Sequence, residues 1–330
     1  MDDKKISIDE GSGGEEMHKL IEEFSKGFYR GEWSYLDDDG AILDKSIGGR
    51  LCFTTDSYVV EPIEFKGGNI GDLAVCGTVN DLVVMGAKPL GLSLSFIIEE
   101  GLDKEIFNRI VSTIKDLSYK LGVPIVTGDT KVVNRGSLDK MVINTSGVGV
   151  VERVLDGEIE IGDKIIVSGG VGEHGVALLS DRFDFETSIE TDSKALIDEV
   201  DDIRDKVKFA KDPTRGGLAG VLCEICDKKG VNLEIEGSSL PVKKEVKSAC
   251  KLFGLEPLDI ACEGRVVVVC SLENSEEVLG QLKKYNNEAS IIGEVVARKE
   301  SEEGGIVVLN TNYGRRVVEK PKGKIVARIC

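Results

Sequence analysis

Five aspartate-bearing segments stand out in this 330-residue chain, because each sets a carboxylate beside glycine or another small residue where a turn is expected. They are Asp37-Asp38-Asp39-Gly40-Ala41, Thr54-Thr55-Asp56-Ser57, Thr78-Val79-Asn80-Asp81, Gly128-Asp129-Thr130-Lys131 and Asp212-Pro213-Thr214-Arg215-Gly216-Gly217. Mg²⁺ bound with a nucleotide wants a few carboxylate oxygens and several phosphate oxygens. Glycine beside the acids lets backbone N–H groups reach those phosphates. One aspartate at a turn is ordinarily a turn former; five such sites, four of them in the first half, point to a Mg–nucleotide site. No Walker A loop is present, so the site is not of the P-loop kind.

Two other spacings carry less. Gly170-Val171-Gly172-Glu173-His174-Gly175 fits the GxGxxG dinucleotide pattern. A second apolar strand ending in an acid should follow about 20 residues on, but Asp181 to Asp201 is acidic and broken. The segment reads instead as a tight strand-to-helix turn, with His174 capping it or lining an interface. Cys223-Glu224-Ile225-Cys226 has CxxC spacing but falls inside an expected helix, away from the helix N-terminus that would stabilise a thiolate. No second cysteine pair or histidine pair completes a zinc site. Packing accounts for both thiols.

Composition bounds the rest. Hydrophobic residues make up 41% and charged residues 31%, as in a folded protein. The formal charge of −17 argues against nucleic acid and against anionic membranes. No stretch approaches a membrane span, and Met1 to Ile8 is too polar for a signal or transit peptide. The eight cysteines lie far apart and mostly in apolar stretches, which fits reduced thiols and a cytoplasmic location.

Strand-like and helix-like segments alternate throughout. A strand ends at Asp56, a helix runs from Gly71 to Met85, and Leu90, Leu92, Leu94, Phe96 and Ile98 mark a half-buried strand. Ile106, Ile110, Ile114, Leu117 and Leu121 line one face of a helix stopped by Gly122. Short strands follow at Val123–Val126 and Met141–Val151. Around Leu155 to Gly162 apolar density falls, which marks a boundary. Beyond it come a strand at Lys164–Val167, a helix, a polar stretch, a helix from Leu218, a strand at Val231–Ile235, a helix near Lys243, a strand at Arg265–Cys270, a helix at Ser275–Tyr285 and two closing strands. The expectation is an α/β (α+β) protein of two mixed domains, 1–155 and 156–319, with 320–330 as a mobile tail ending in Cys330.

Asp38-Asp39-Gly40-Ala41-Ile42-Leu43, Thr55-Asp56-Ser57 and Val79-Asn80-Asp81-Leu82 resemble the ATP-binding core of the aminoimidazole ribonucleotide synthetase superfamily, which includes selenophosphate synthetase and thiamine monophosphate kinase. Gly11-Ser12-Gly13-Gly14, Gly128-Asp129-Thr130-Lys131, Asp212-Pro213-Thr214-Arg215-Gly216-Gly217, Glu263-Gly264 and the terminal Arg328-Ile329-Cys330 narrow this to a resemblance to the HypE family of hydrogenase maturation factors, over nearly the whole chain. The resemblance implies a homodimer, a ferredoxin-like first domain whose sheet forms the dimer, and a C-terminal α/β sandwich domain. It implies ATP and Mg²⁺ as cofactors. It implies carbamoylation of the C-terminal cysteine by a carbamoyltransferase, HypF, then ATP-dependent dehydration to a thiocyanate. The cyano group passes to a HypC–HypD complex as a ligand for the iron of [NiFe] hydrogenase.

Carried onto this sequence, Asp38, Asp39, Asp56, Asp81, Asp129 and Asp212 are the expected Mg²⁺ carboxylates. Gly11, Ser12, Gly13, Gly14, Asn80 and Thr130 join them around the nucleotide. Cys330 bears the substrate group: its thiolate is a good nucleophile near neutral pH, and a chain end can visit several sites. Glu263, before an apolar strand, is the expected general base, and Lys131 would neutralise charge on oxygen or phosphate. Selenophosphate synthetase would want a reactive cysteine near the N-terminus, whereas the first here is Cys52. Aminoimidazole ribonucleotide synthetase gives no reason to end on cysteine, and a non-catalytic assembly scaffold would not need the acids.

Overall fold

A computed structural model describes residues 5–7, 10, 20–24, 26–29, 31–34, 42–43, 46–298, 304–321 and 329. Gly11 to Gly14, Asp38, Asp39 and Cys330 lie outside the described residues.

The first half builds one four-stranded sheet under two helices. Its strands are β1 (Arg50–Tyr58), β2 (Ala87–Glu99), β3 (Ile125–Val133) and β4 (Met141–Val151). The order is β1-β4-β2-β3, with β4 antiparallel to both neighbours and β2 parallel to β3. Helix α1 (Ile70–Val84) follows β1, and α2 (Lys104–Leu121) follows β2. The expected mixed α/β architecture is there. Its path, β-α-β-α-β-β, differs from the β-α-β-β-α-β path of a ferredoxin-like domain.

Helix α1 is apolar on nearly every side, which suits a helix sandwiched between the sheet and α2. Asn69 starts it by accepting a hydrogen bond from the Gly71 N–H, while Asp72 reaches back to the Asn69 N–H at 2.8 Å. Helix α2 is amphipathic and buries Phe107, Ile110, Val111 and Ile114, with Gly122 closing it at φ 65° as anticipated. Phe24, Phe96 and Phe107 meet edge to face at 5.4–5.6 Å above the sheet.

In the second half, strands β5 (Lys164–Val167), β6 (Val207–Lys211), β7 (Asn232–Glu236), β8 (Val267–Cys270), β9 (Ser290–Val296), β10 (Val307–Thr311) and β11 (Gly314–Val318) form one sheet. The order is β6-β8-β5-β9-β7-β10-β11, antiparallel except for the β7–β10 pair. Helices α3 (Glu173–Phe183), α4 (Ile197–Asp201), α5 (Gly217–Lys229), α6 (Lys244–Phe253) and α7 (Leu272–Tyr285) surround it. Both faces are covered. Ile165, Val167, Val267 and Val269 pack toward Leu218 and Leu222 of α5, whereas Ile166, Val268 and Cys270 pack toward Val278 and Leu282 of α7. Double burial explains why β5 and β8 read as continuous apolar runs.

Three sequence readings need correction. Strand β6 lies in what read as a polar stretch, because it is five residues long and Lys208 and Lys211 interrupt its buried Val207, Phe209 and Ala210. The chain closes on three strands, not two. Strand β3 runs on to Val133 and carries Asp129 in its middle. The Cys223/Cys226 pair behaves as packing: Cys226 is buried and Cys223 half-buried in α5, and burial pushes the Cys226 thiol up to about 12.

Candidate active site

The four described acids fall on three kinds of backbone. Asp56 is inside β1, Asp81 inside α1, Asp129 inside β3, and only Asp212 lies in a loop, after β6. The turn placement that first drew them together therefore holds for Asp212 alone among the described ones. Pleat and helix geometry decide their directions instead. On β1, Cys52, Thr54, Asp56 and Tyr58 face the helices while Leu51, Phe53, Thr55 and Ser57 face away.

On the helix side Thr54, Asp56, Asp81 and Asp212 converge. The Thr54 hydroxyl donates to Asp81 Oδ2 at 2.7 Å. Burial raises the Asp81 carboxyl above the usual range, and the Asp56 charge raises it further, against Thr54, Lys211 and Arg215. Asp212 is buried and pushed up to about 7, by burial first and then by the Asp81 charge, with Asp56 adding a smaller push. Arg215 Nη2 stands 3.8 Å from Asp56 Oδ1, a loose and solvent-facing pair. Three carboxyl groups gathered here, two of them raised by burial and by their neighbours' charge, suit a site for positive charge. Among the described residues no three His, Cys, Asp or Glu side chains are spaced to hold a metal ion by themselves.

Tyr58, which the sequence reading passed over, is buried on the same face of β1 as Asp56. Its hydroxyl shares a 3.1 Å hydrogen bond with Thr78, whose hydroxyl also bonds Thr145. Burial pushes its pKa well up, and Asp56, Glu263 and Asp81 add to that. The signal was present in the alternation of β1, which carries Tyr58 to the same face as Asp56.

Glu263 reaches this region from the other half of the chain. It is buried, and its N–H donates to Asp192 Oδ1 at 3.0 Å. A Cβ on Gly264 would sit 1.8 Å from the Asp192 carbonyl oxygen, so the Glu263-Gly264 pair is dictated by close backbone packing. Asn80 ties the same turn to α1: its Nδ2 donates to the carbonyls of Lys194 (3.0 Å) and Glu263 (3.3 Å), and its Oδ1 accepts from the Leu196 N–H (2.8 Å). In this structure the Asn80 amide is engaged by protein backbone on all sides.

Asp129, Thr130 and Lys131 are elsewhere. Register puts Asp129 level with Ser95, Asn144 and Ser57, three strands from β1 or about 14 Å by ladder spacing. Asp129 and Lys131 are exposed on the open face of the sheet, with Lys131 Nζ 3.3 Å from Asp129 Oδ1. Thr130 is buried on the opposite face. One copy of the chain does not bring these three to Asp56, Asp81 and Asp212.

His174 does not cap the turn; it packs edge-on against Phe65 of the first half. It is fully buried in the first turn of α3, and its Nε2 lies 2.8 Å from the carbonyl oxygen of Ile329, the residue bonded to Cys330. Ile329 is only 6% exposed. Beside it Arg265 forms a buried ion pair with Glu173 at 2.5 Å, and Lys243 also pairs with Glu173.

Two family models match the chain: AIR synthase related protein, N-terminal domain, over residues 37–151, and AIR synthase related protein, C-terminal domain, over 160–305. A Rhizobium leguminosarum protein named carbamoyl dehydratase HypE is 40% identical over 338 residues, covering 99% of this chain and 95% of that one. The structure of a hydrogenase maturation protein HypE in complex with ATP superposes with a TM-score of 0.91 at 38% identity, covering 98% and 99% of the two chains. A HypE chain from a HypE–HypF complex matches at 0.77 and 42% identity, covering 92% and 99%. The chain belongs to the HypE family of AIR synthase related proteins.

Proposed function

We propose that this protein uses ATP to dehydrate a carbamoyl group carried on its own Cys330, giving a thiocyanate for hydrogenase maturation. Relatives of this length and identity bear the name carbamoyl dehydratase, and an ATP-bound relative superposes over almost the whole chain. The observation that carries the reading to particular residues is the burial of Ile329, the neighbour of Cys330 in sequence, with its carbonyl oxygen 2.8 Å from His174 Nε2.

Asp56, Asp81 and Asp212, with Asp38 and Asp39, are the residues that would hold Mg²⁺, whose role is to neutralise phosphate charge. Burial first, and then the charge of neighbouring acids, lifts Asp81 and Asp212, and a divalent cation would relieve that repulsion. Phosphoryl transfer is mainly positioning and charge neutralisation. The carbamoyl oxygen attacks the γ-phosphorus and ADP leaves; the carbamoyl nitrogen gives up protons as its C–O bond breaks and phosphate departs. Glu263 is the base for that nitrogen. Carbamoyl thioester plus ATP becomes thiocyanate, ADP and phosphate, with no redox change.

The protein works as a homodimer through the open face of the first sheet. Leu51 and Phe53 are 61% and 68% exposed at one end of it, apolar groups that suit a protein partner. Asp129 and Lys131 share that face, so a second copy is what would carry them to a nucleotide. The named HypE–HypF complex supports HypF as carbamoyl donor; a HypC–HypD complex is the acceptor of the cyano group. The location is the cytoplasm, and among the described residues no helix is long and apolar enough to cross a membrane.

Intact-protein and peptide mass spectrometry after incubation with HypF, carbamoyl phosphate and ATP tests this. Carbamoyl and then cyano adducts should appear on Cys330 and vanish in Cys330→Ala. Adducts on Cys52 or Cys262 instead would overturn the assignment.

A further inference from the structure

A buried cluster of charges stands behind Glu263, and the mechanism above makes no use of it. Residues 261–266 belong to no helix or strand, so no ladder of regular hydrogen bonds fixes the backbone that carries Glu263. Its polar groups are answered one by one from elsewhere. The Cys262 N–H donates to the Pro213 carbonyl at 3.0 Å, in the loop that bears Asp212. The Glu263 N–H donates to Asp192 Oδ1 at 3.0 Å, and the Gly264 carbonyl accepts from Arg265 Nη1 at 2.9 Å.

Arg265 governs the last two of these bonds. Its Nε donates to the Gly170 carbonyl at 3.0 Å and stands 3.5 Å from Asp192 Oδ2, while Nη2 pairs with Glu173 Oε2 at 2.5 Å. Asp192 therefore holds the Glu263 N–H with one carboxylate oxygen and faces Arg265 with the other. A planar guanidinium can grip several acceptors in one rigid arrangement, which an ammonium on a flexible stem cannot. Arg265, Asp192 and Glu173 are all buried. Burial works against the charge of Arg265, but the Asp192 and Glu173 carboxylates outweigh it and hold the guanidinium above its usual pKa. Lys243 occupies the other oxygen of Glu173, which leaves the fork of Arg265 committed to the Glu263 side.

We propose that Arg265 is a positioning residue for dehydration: through the Gly264 carbonyl and through Asp192 it fixes the backbone on both sides of Glu263 and so aims the carboxylate that takes the proton from the carbamoyl nitrogen. This rests on the dehydratase reading. A reacting group misplaced by about 1 Å loses on the order of a hundredfold in rate. Arg265→Lys keeps the charge and loses the fork, so it binds ATP as wild type does and dehydrates about a hundredfold more slowly at saturation. Asp192→Asn keeps an oxygen for the Glu263 N–H and gives up only the charge that faces Arg265. It is slower by about tenfold, the effect of one ordinary polar contact.

The test is single-turnover conversion of the full-length protein, carbamoylated beforehand by HypF and followed by mass spectrometry over a series of ATP concentrations. The saturated rate should fall in both variants while the half-saturating ATP concentration stays at the wild-type value. Val278→Ala, which opens the core under α7 away from the Glu263 turn, is the control for lost stability: it should melt earlier than wild type and keep the wild-type rate. Where Arg265→Lys fails to fold, Asp192→Asn decides. A wild-type rate in either folded variant, or a raised half-saturating ATP concentration with an unchanged saturated rate, would overturn the proposal. So would a Val278→Ala rate that falls as far as that of Arg265→Lys for the same drop in melting temperature. If wild type forms no thiocyanate at all, the dehydratase reading falls and the proposal with it; thiocyanate formed equally fast by wild type and both variants removes the proposal alone.

Discussion

Replacing Asn80 separates its first reading, a nucleotide contact, from what its neighbours indicate, a brace between the two halves. The side chain is buried and makes three bonds to backbone: 3.0 and 3.3 Å from Nδ2 to the carbonyls of Lys194 and Glu263, and 2.8 Å to Oδ1 from Leu196. Asn80→Ala removes all three and strands buried backbone groups, each costing about 1–3 kcal/mol when unpaired. The groups share one side chain and do not add fully, and the 3.3 Å bond is weak, so the expected loss is about 3 kcal/mol. Asn80→Asp is the sharper probe. It puts an oxygen against two carbonyl oxygens, so at pH 8 it should be less stable than Asn80→Ala. As a buried acid its folded pKa lies above its unfolded one, so that penalty builds as pH rises through the window between them and fades toward pH 5. Urea midpoints followed by circular dichroism at the two pH values measure this, with ATP affinity by calorimetry alongside. A loss below about 1 kcal/mol together with a tenfold weaker ATP affinity would refute the brace and restore the nucleotide contact.

Three further outcomes follow from the site. Asp81→Ala should keep the fold and lower ATP turnover by about a hundredfold or more, since the acid serves positioning and charge; normal turnover in a steady-state phosphate assay would remove Asp81 from the site. Glu263→Gln should accept the carbamoyl group yet form thiocyanate about 10²–10⁴-fold more slowly, the range of one general base; ordinary thiocyanate formation by mass spectrometry would exclude it as the base. His174 is held below its usual pKa chiefly by burial, with Asp192 the charged group that opposes this. A histidine with a depressed folded pKa takes up its proton more readily unfolded, so its contribution is present above the unfolded pKa of about 6.5 and is lost as pH falls from there toward the folded value. Thermal melting from pH 8 to pH 5 should therefore decline less in His174→Gln than in wild type; identical slopes would refute a neutral buried ring.

Sequence periodicity was enough wherever one face of an element is apolar. Leu92, Leu94, Phe96 and Ile98 alternate because β2 has one covered face, and Gly122 ends α2 because only glycine readily takes its φ of 65°. Strand β6 escaped because an edge strand in this sheet needs little more than Val207 and Phe209. Residue types alone also led to Asp56, Asp81 and Asp212 as one group, although turn chemistry was the wrong reason for two of them. What brings those together is the stacking of α1 on β1, where Thr54 meets Asp81 across 27 positions, and the arrival of the β6 loop from the other half of the chain, contacts that no local pattern encodes. For the same reason the sequence grouped Asp129 and Lys131 with them, while the strand order β1-β4-β2-β3 puts both on the far edge and open face. His174 shows the limit most plainly. A lone histidine beside a glycine-rich turn has no readable role until folding sets it 155 residues from its partner in the chain and 2.8 Å from that partner in space.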